Sequence, residues 1–483
     1  MHKPLAAASA VVAVALGLAG VAVTIDRPAA NASAAQAAAA PVVDYANPTT
    51  LTSNLRVPWG LAYLPDGSAL VAERDRARIL WIRPGQATRV IGTVPGVVAS
   101  GEGGLLGLAV SPKYTSDRQV YAYYTSSVDN RIVRFTLADL GAQTPVVTGL
   151  AKSSVHNGGR IAFGPDGMLY AGVGDAGDTA TAQNPASNNG KILRVRPDGG
   201  VPADNPIAGS LVYSLGHRNV QGLAWDSAGR LYATEFGQNA FDEVNRIVPG
   251  GNYGWPVVEG VARNPAYRDP IVTWTTAEAS PSGATIIGDT LFVAALRGNR
   301  LWAVPLDGAG GAGTPVAALT GRFGRLRTVE KAPDGSLWVT TSNRDGRGTP
   351  ASSDDRVLRF AVTNPTPTPT ATPTVTPSAS ACEISYRPTE LPGLLLGNVT
   401  VTNRGPAVES WRLTWTFGGD QRINTAWAAR ISQSGRAVIA RNDVWNGRVA
   451  AGATASFGFL ASSTGANPRP TDFRFNGSPC TTR

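Results

Sequence analysis

Histidine is almost missing from this chain: three in 483 residues, one of them at position 2. Cysteine is scarcer still, with Cys382 and Cys480 alone, and lysine is rare beside arginine. Each shortage excludes something. Two distant cysteines with no histidine between them exclude a thiolate metal site, and they read as one disulfide worth roughly 4 kcal/mol in the chain-entropy model. The formal charge of +9 comes from arginines scattered singly, so no basic patch marks a nucleic-acid partner. Long apolar runs are absent beyond the first residues, where His2-Lys3 leads into an Ala/Val/Leu stretch to about Val23. Small-residue sites follow at Ala30-Asn31-Ala32 and Ala35-Gln36-Ala37, the pattern of a secretory signal. An uncleaved anchor is the alternative, since the run approaches the roughly 20 residues a span needs. The expectation is a secreted, extracellular protein with no membrane span in the mature chain.

Residues 364–381 alternate Pro with Thr, Ser and Ala, a composition that builds no core and favours extended backbone. The expected organisation is therefore a signal and disordered N-terminus over 1–40, a large body over 41–362, a linker over 363–381 and a small body over 382–483. The large body lacks helical periodicity and repeats itself. Six turns recur: Leu64-Pro65-Asp66-Gly67, Val110-Ser111-Pro112, Gly164-Pro165-Asp166-Gly167, Asp226-Ser227-Ala228-Gly229, Ile287-Gly288-Asp289 and Ala332-Pro333-Asp334-Gly335. Each precedes a strand-like run such as Ala69-Leu70-Val71 or Leu337-Trp338-Val339. Asp-Gly between apolar runs is a strong hairpin signal, and radial repetition of small antiparallel sheets explains the spacing. The fold class is all-β: a six-bladed β-propeller, then the linker and a small β-sandwich. A single sandwich is the alternative for the large body. In the small body, Asn398–Thr402 and Trp411–Phe417 alternate with period two.

Both internal histidines sit in glycine-rich turns, Val155-His156-Asn157-Gly158-Gly159-Arg160 and Gly216-His217-Arg218-Asn219, where no apolar stripe calls for a packed ring. Imidazole so sparingly used, beside Arg and Asn, points to proton chemistry. Further loops read Gly101-Glu102-Gly103-Gly104-Leu105-Leu106-Gly107, Phe236-Gly237-Gln238, Asp242-Glu243-Val244-Asn245, Gly251-Asn252-Tyr253-Gly254-Trp255-Pro256 and Arg325-Leu326-Arg327. Together they supply a base, several guanidinium groups and oxygen donors for a hard cation, the equipment for a polyanionic cofactor with a bound metal.

In that order the motifs resemble, across residues 55–360, the soluble quinoprotein glucose and aldose sugar dehydrogenases, which use pyrroloquinoline quinone (PQQ). The resemblance implies a six-bladed propeller. It implies that His156 is the general base at the sugar C1 hydroxyl while hydride passes to the quinone. Arg218 and Asn219 would face the quinone oxygens, and Arg325 and Arg327 would grip the PQQ carboxylates. Arg297 matches a basic cofactor contact, and Glu102 a cofactor-facing glutamine. Carbonyls of Gly237 and Gln238, the latter in place of a proline, would hold the Ca2+ that bridges to PQQ. Glu243 and the Tyr253 carbonyl match a second, structural calcium site. His217 is read as fixing the loop that presents Arg218, and Trp255 as packing. Val155 stands where some members have Asp, which leaves open what orients His156.

The small body resembles the family 2 carbohydrate-binding modules, through Cys382 and Cys480 at its ends, Thr425-Ala426-Trp427, Asn442-Asp443-Val444-Trp445-Asn446-Gly447 and Phe475-Asn476-Gly477. The resemblance implies that Trp427 and Trp445 stack on cellulose or chitin. Leu391 stands in place of a third platform, and Trp411 is a core residue. The function expected is oxidation of an aldose or oligosaccharide at C1 to a lactone, with electrons passed to an external acceptor and the enzyme tethered to a polysaccharide surface. The alternatives are a non-catalytic propeller binding protein and a calcium-dependent propeller lactonase or hydrolase.

Overall fold

The structure is a computed structural model that describes residues 41–363, 382–443 and 445–483. The expected signal and nearly all of the Pro/Thr linker lie outside the described residues. Two compact units are present, one on each side of the linker. Among the described residues no helix is long and apolar enough to cross a membrane.

The first unit is built from six four-stranded antiparallel sheets. Their inner strands are Pro58–Tyr63, Leu105–Val110, Ile161–Phe163, Val220–Trp225, Pro281–Ile287 and Leu326–Lys331. Successive sheets pack against one another through these inner strands and their neighbours, and the last, Leu326–Lys331, returns to Pro58–Tyr63. The sheets therefore form a closed, propeller-like ring. Each punctuation turn joins an inner strand to the second strand of its sheet, as between Pro58–Tyr63 and Ala69–Glu73. There Gly67 takes φ +81°, while Asp66 Oδ1 accepts the Ser68 amide at 3.0 Å. A Pro-Asp-Gly sequence supplies both needs of that turn.

Ring closure comes from the start of the unit. Thr49–Thr52 pairs with Val357–Phe360, with Thr50 opposite Leu358, and becomes the outer strand of the sixth sheet. Val42–Val43 pairs in turn with Val362–Thr363. Inner strands approach closely enough to require glycine. A Cβ on Gly107 would lie 2.1 Å from the Gly159 carbonyl oxygen, and one on Gly60 2.5 Å from that of Leu106. The apolar cores lie between sheets, as where Trp59, Leu106, Tyr123 and Ile161 meet Leu169 and Val173.

The second unit is a sandwich of two five-stranded sheets. Trp411, Trp415, Phe417, Phe457, Phe459 and Phe473 fill its core. Strand Leu394–Asn403 buries alternate residues, as a half-buried strand should. Cys382 and Cys480 are disulfide-bonded and join the ends of the unit. Replacing both by serine is expected to lower the unfolding free energy of this unit by roughly 4 kcal/mol. Guanidinium titration followed by tryptophan fluorescence would show it as one transition moved to lower denaturant; an unmoved midpoint refutes it.

Candidate active site

Loops at the ends of the inner strands converge on a cavity of about 430 Å3. That volume suits a small cofactor with its substrate. Every sheet, or the loop leading into it, contributes. Trp59 and Arg74 come first, followed by Glu102, by Val155 and His156, and by Arg218, Gln221 and Gly237. Leu296 and Arg297 come from the fifth sheet and Arg325, Arg327 and Arg347 from the sixth. The wall thus carries six guanidinium groups against one carboxylate, Glu102.

His156 is held from three directions. Its Nδ1 lies 2.7 Å from Asp175 Oδ1. Because a carboxylate accepts, the ring proton sits on Nδ1 and Nε2 keeps its lone pair. Asp175 is completely buried and takes a second hydrogen bond at Oδ2 from Trp255 Nε1, at 2.9 Å. Burial raises the Asp175 carboxyl, but the His156, Gly177 and Trp255 donors outweigh it and hold the group below the usual range. The backbone of His156 adopts φ +53°. Its amide donates to Glu102 Oε2 at 2.9 Å, and its carbonyl accepts from Ala176 at 3.1 Å. The loop lies so close to the neighbouring strand end that a Cβ on Gly174 would sit 1.9 Å from the His156 carbonyl oxygen.

Asp175 answers the question left by Val155, and the motif reading missed it. The signal was an aspartate in Gly174-Asp175-Ala176-Gly177, just past a strand end, nineteen positions from its partner. Trp255 likewise does more than pack, since it anchors Asp175 and lies 5.4 Å from the Arg218 guanidinium carbon. Glu102 lines the cavity, but its carboxylate is engaged by the His156 amide and by Arg347 Nη1 at 2.8 Å.

Arg325 and Arg327 are brought together by a second residue the sequence did not flag. Asp345 Oδ2 pairs with Arg325 Nη2 at 2.9 Å and with Arg327 Nη2 at 3.2 Å. Burial, with the charges of Arg74 and Arg325 nearby, pushes the Arg327 guanidinium down to about 9. Arg297 is exposed on the wall and has no acidic partner among the described residues. Arg218 Nε is buried with no hydrogen-bond partner, and so is Asn219 Nδ2. Asn219 stands behind the wall rather than on it, its Oδ1 accepting the Gly158 amide at 3.0 Å. Excess guanidinium charge and unpartnered donors fit a flat polycarboxylate such as PQQ.

His217 is wholly buried with both nitrogens engaged, Nδ1 by Glu235 at 2.8 Å and Nε2 by Ser214 at 2.8 Å. Glu235 also accepts the Arg218 amide. His217 therefore fixes the loop that presents Arg218 and offers no free nitrogen. A small cavity of about 10 Å3, which shares Arg218, Phe236 and Gly237 with the main one, is lined also by Glu235, Glu243, Tyr253 and Glu259. Burial and the neighbouring Glu235 push the Glu243 carboxyl up. Among the described residues no cluster of three His, Cys, Asp or Glu side chains is arranged to hold a metal, so cation ligands here would have to include main-chain oxygens. The carbonyls of Gly237 and Gln238 accept no hydrogen bond from the described residues.

On the sandwich unit Trp427 and Trp445 are 46% and 70% exposed, whereas Trp411 is buried at 2%. The Trp427 ring lies against Gly458, where a Cβ would come within 2.1 Å of it. Asn446 Nδ2 donates to the Ala428 carbonyl at 2.8 Å and ties together the two segments that bear the rings. Leu391 is exposed at 53%.

A ring of β-sheets with an oriented imidazole facing guanidinium groups is the arrangement the sequence resemblance implies. The chain belongs to the glucose/sorbosone dehydrogenase family, whose model matches residues 55–350, and it carries a cellulose-binding domain over 382–480. It is similar to the PQQ-bound aldose sugar dehydrogenase of Streptomyces coelicolor. That structure is 51% identical with a TM-score of 0.64, covering 67% of this chain and 99% of that one. Quinoprotein glucose dehydrogenase B of Acinetobacter calcoaceticus is 34% identical over 45% of this chain and 54% of that protein, so the chain spans about half its length. The C-terminal unit is similar to endoglucanase CelA of Streptomyces lividans, 42% identical over 105 residues, which are 21% of this chain and 23% of that enzyme.

Asp175→Asn puts one accepting oxygen and an NH2 where two oxygens accept, so the His156 Nδ1 proton and Trp255 Nε1 can no longer both be received and the His156 tautomer is no longer fixed. Turnover of the reconstituted enzyme is expected to fall by roughly 10²–10⁴-fold, with cofactor uptake unchanged. Steady-state kinetics beside a spectral titration check this; undiminished turnover refutes the orienting role.

Proposed function

We propose that this protein is a secreted, PQQ-dependent sugar dehydrogenase that oxidises the C1 hydroxyl of an aldose or oligosaccharide to a lactone and is tethered to polysaccharide by its C-terminal unit. The observation that carries the reading is the cavity wall: six guanidinium groups and an imidazole whose Nδ1 is fixed by a buried aspartate.

PQQ, when bound, supplies the two-electron acceptor, and calcium adds Lewis acidity to it. The rest belongs to the chain. Arg325, Arg327 and Arg297 bind carboxylates, the first two pre-set by Asp345. Arg218, on the wall with its Nε unpartnered, would donate to the negative charge that builds up on the cofactor when it is reduced, while Asn219 behind it steadies the loop through the Gly158 amide. His156 Nε2 takes the proton of the sugar hydroxyl, and Asp175 stabilises the imidazolium that forms. Trp59, Leu296 and Phe236 give the wall its apolar share. The carbonyls of Gly237 and Gln238 would hold the calcium of the cofactor site, and Glu243 with the Tyr253 carbonyl would hold a second, structural one. A calcium-dependent hydrolase would need carboxylates at the cavity mouth, where Glu102 is the single one and is already paired. Electrons leave to an external acceptor. The apolar leader in the sequence, the disulfide and the cellulose-binding domain favour an extracellular setting.

Purified protein mixed with PQQ and calcium is expected to reduce an artificial acceptor dye when given aldoses. No PQQ-dependent reduction with any aldose rejects the reading. His156→Ala should still take up PQQ while turnover falls by roughly 10²–10⁴-fold; turnover equal to the parent's rejects the base assignment.

For the second unit, Trp427→Ala combined with Trp445→Ala should lose pull-down on microcrystalline cellulose and keep dye reduction intact. Retained pull-down would mean that another surface binds.

A further inference from the structure

Five consecutive backbone amides, Gly237 to Phe241, donate to two carboxylates. The Gly237 amide gives to Asp242 Oδ1 at 2.9 Å. The next four converge on a single atom, Glu259 Oε1, from Gln238, Asn239, Ala240 and Phe241 at 2.7, 3.1, 3.0 and 3.0 Å. Successive amides gathered on one anion form a nest. The loop closes tightly around it: a Cβ on Gly237 would lie 1.8 Å from the Phe241 carbonyl oxygen and 2.5 Å from Glu259 Oε1.

Peptide planarity gives this clamp a consequence. In a trans peptide the C=O of one residue points opposite to the N–H of the next. The Gln238 and Asn239 amides point at Glu259, so the carbonyls of Gly237 and Gln238, their partners in the same peptide units, point away from it. Those carbonyls accept no hydrogen bond from the described residues. They are also the two that would face the bridging calcium. Backbone oxygens ligate well only when their dipoles are held in place beforehand, because the bare loop would otherwise lose entropy on binding.

We propose that Glu259 is a positioning residue for the bridging cation: by collecting four amides it turns the Gly237 and Gln238 carbonyls outward and so sets the calcium affinity of the cofactor site. The proposal rests on the calcium reading above. It assigns Glu259 no contact with the ion; the side chain acts through the peptide units it holds.

The test uses the full-length apoprotein with PQQ at fixed concentration. Calcium is titrated, and bound PQQ is read from its quinone absorption rather than from activity. Two variants separate reach from charge. Glu259→Gln keeps an acceptor oxygen at the nest but loses the charge, whereas Glu259→Asp keeps the charge and withdraws the oxygen by one methylene. The calcium needed for half-maximal PQQ uptake is expected to rise by about tenfold or more in Glu259→Asp, in the range found when outer-shell partners are removed. Glu259→Gln should stay near the parent, and both should reach the parent's plateau at high calcium. Thermal melting of the calcium-free variants checks that both are folded. A calcium requirement unchanged in Glu259→Asp, or raised more in Glu259→Gln than in Glu259→Asp, overturns the proposal while leaving the calcium reading intact. PQQ uptake by the parent that needs no calcium overturns both.

Discussion

Six guanidinium groups share the wall of one cavity, and the repulsion among them governs how the surrounding residues are arranged. A buried cation without a partner is strongly disfavoured, so the wall is underpinned by carboxylates on it and beside it. Asp345 bridges Arg325 and Arg327, Glu102 takes Arg347, and Asp75 takes Arg74. Even so, Arg327 is held down to about 9 by burial and by its cationic neighbours. The compensation is partial, and it leaves the cavity favouring an anionic occupant. Charge of this kind favours a polycarboxylate over a neutral occupant.

Carboxylates around the cavity also serve as scaffolding. Glu102 holds the His156 amide while it neutralises Arg347. Glu235 holds both the His217 ring and the Arg218 amide. Asp242 joins the Gly237 and Ser280 amides from neighbouring sheets; burial pushes its carboxyl up to about 6 against those two donors. Glu102 and Asp242 each join segments from different places in the sequence, and Glu235 fixes two neighbouring residues of one loop. A ring of sheets makes this possible because closure by Thr49–Thr52 holds all six loop sets around one axis. Preorganisation of this kind is what stabilises developing charge at little reorganisation cost.

Much of this was legible in the sequence, for identifiable reasons. The punctuation turns were visible because Pro-Asp-Gly meets a local backbone demand, and local demands leave local signatures. The ordered motifs gave His156, Arg218, Arg325 and Arg327 of the cavity wall because each lies in or beside a compact, glycine-rich loop. Asp175, Asp345 and Glu259 were not legible. Each is an acid in an ordinary-looking loop, and its importance comes only from which distant group the fold brings to it. Arg347 and Glu102 are 245 positions apart in the sequence yet joined in space. Asn219 was assigned to the cofactor from its place in a motif, whereas the fold sets it one layer back, on the Gly158 amide. Motif position names a loop; it does not say which residues of that loop face inward.

The two exposed tryptophans obey the same logic on a flat surface. A ring can serve as a platform only if one face is supported and the other left free. Trp427 meets this by lying against Gly458, where any side chain would displace it. Trp445 stands on a turn pinned by Asn446 to the segment after Trp427, and Trp411 Nε1 donates to the Asn446 carbonyl from the core at 2.8 Å. The buried tryptophan is therefore part of what presents the exposed one. Leu391 offers apolar area without a flat face, so it adds hydrophobic contact but no stacking on sugar. Two exposed rings offer less flat area for stacking than three would.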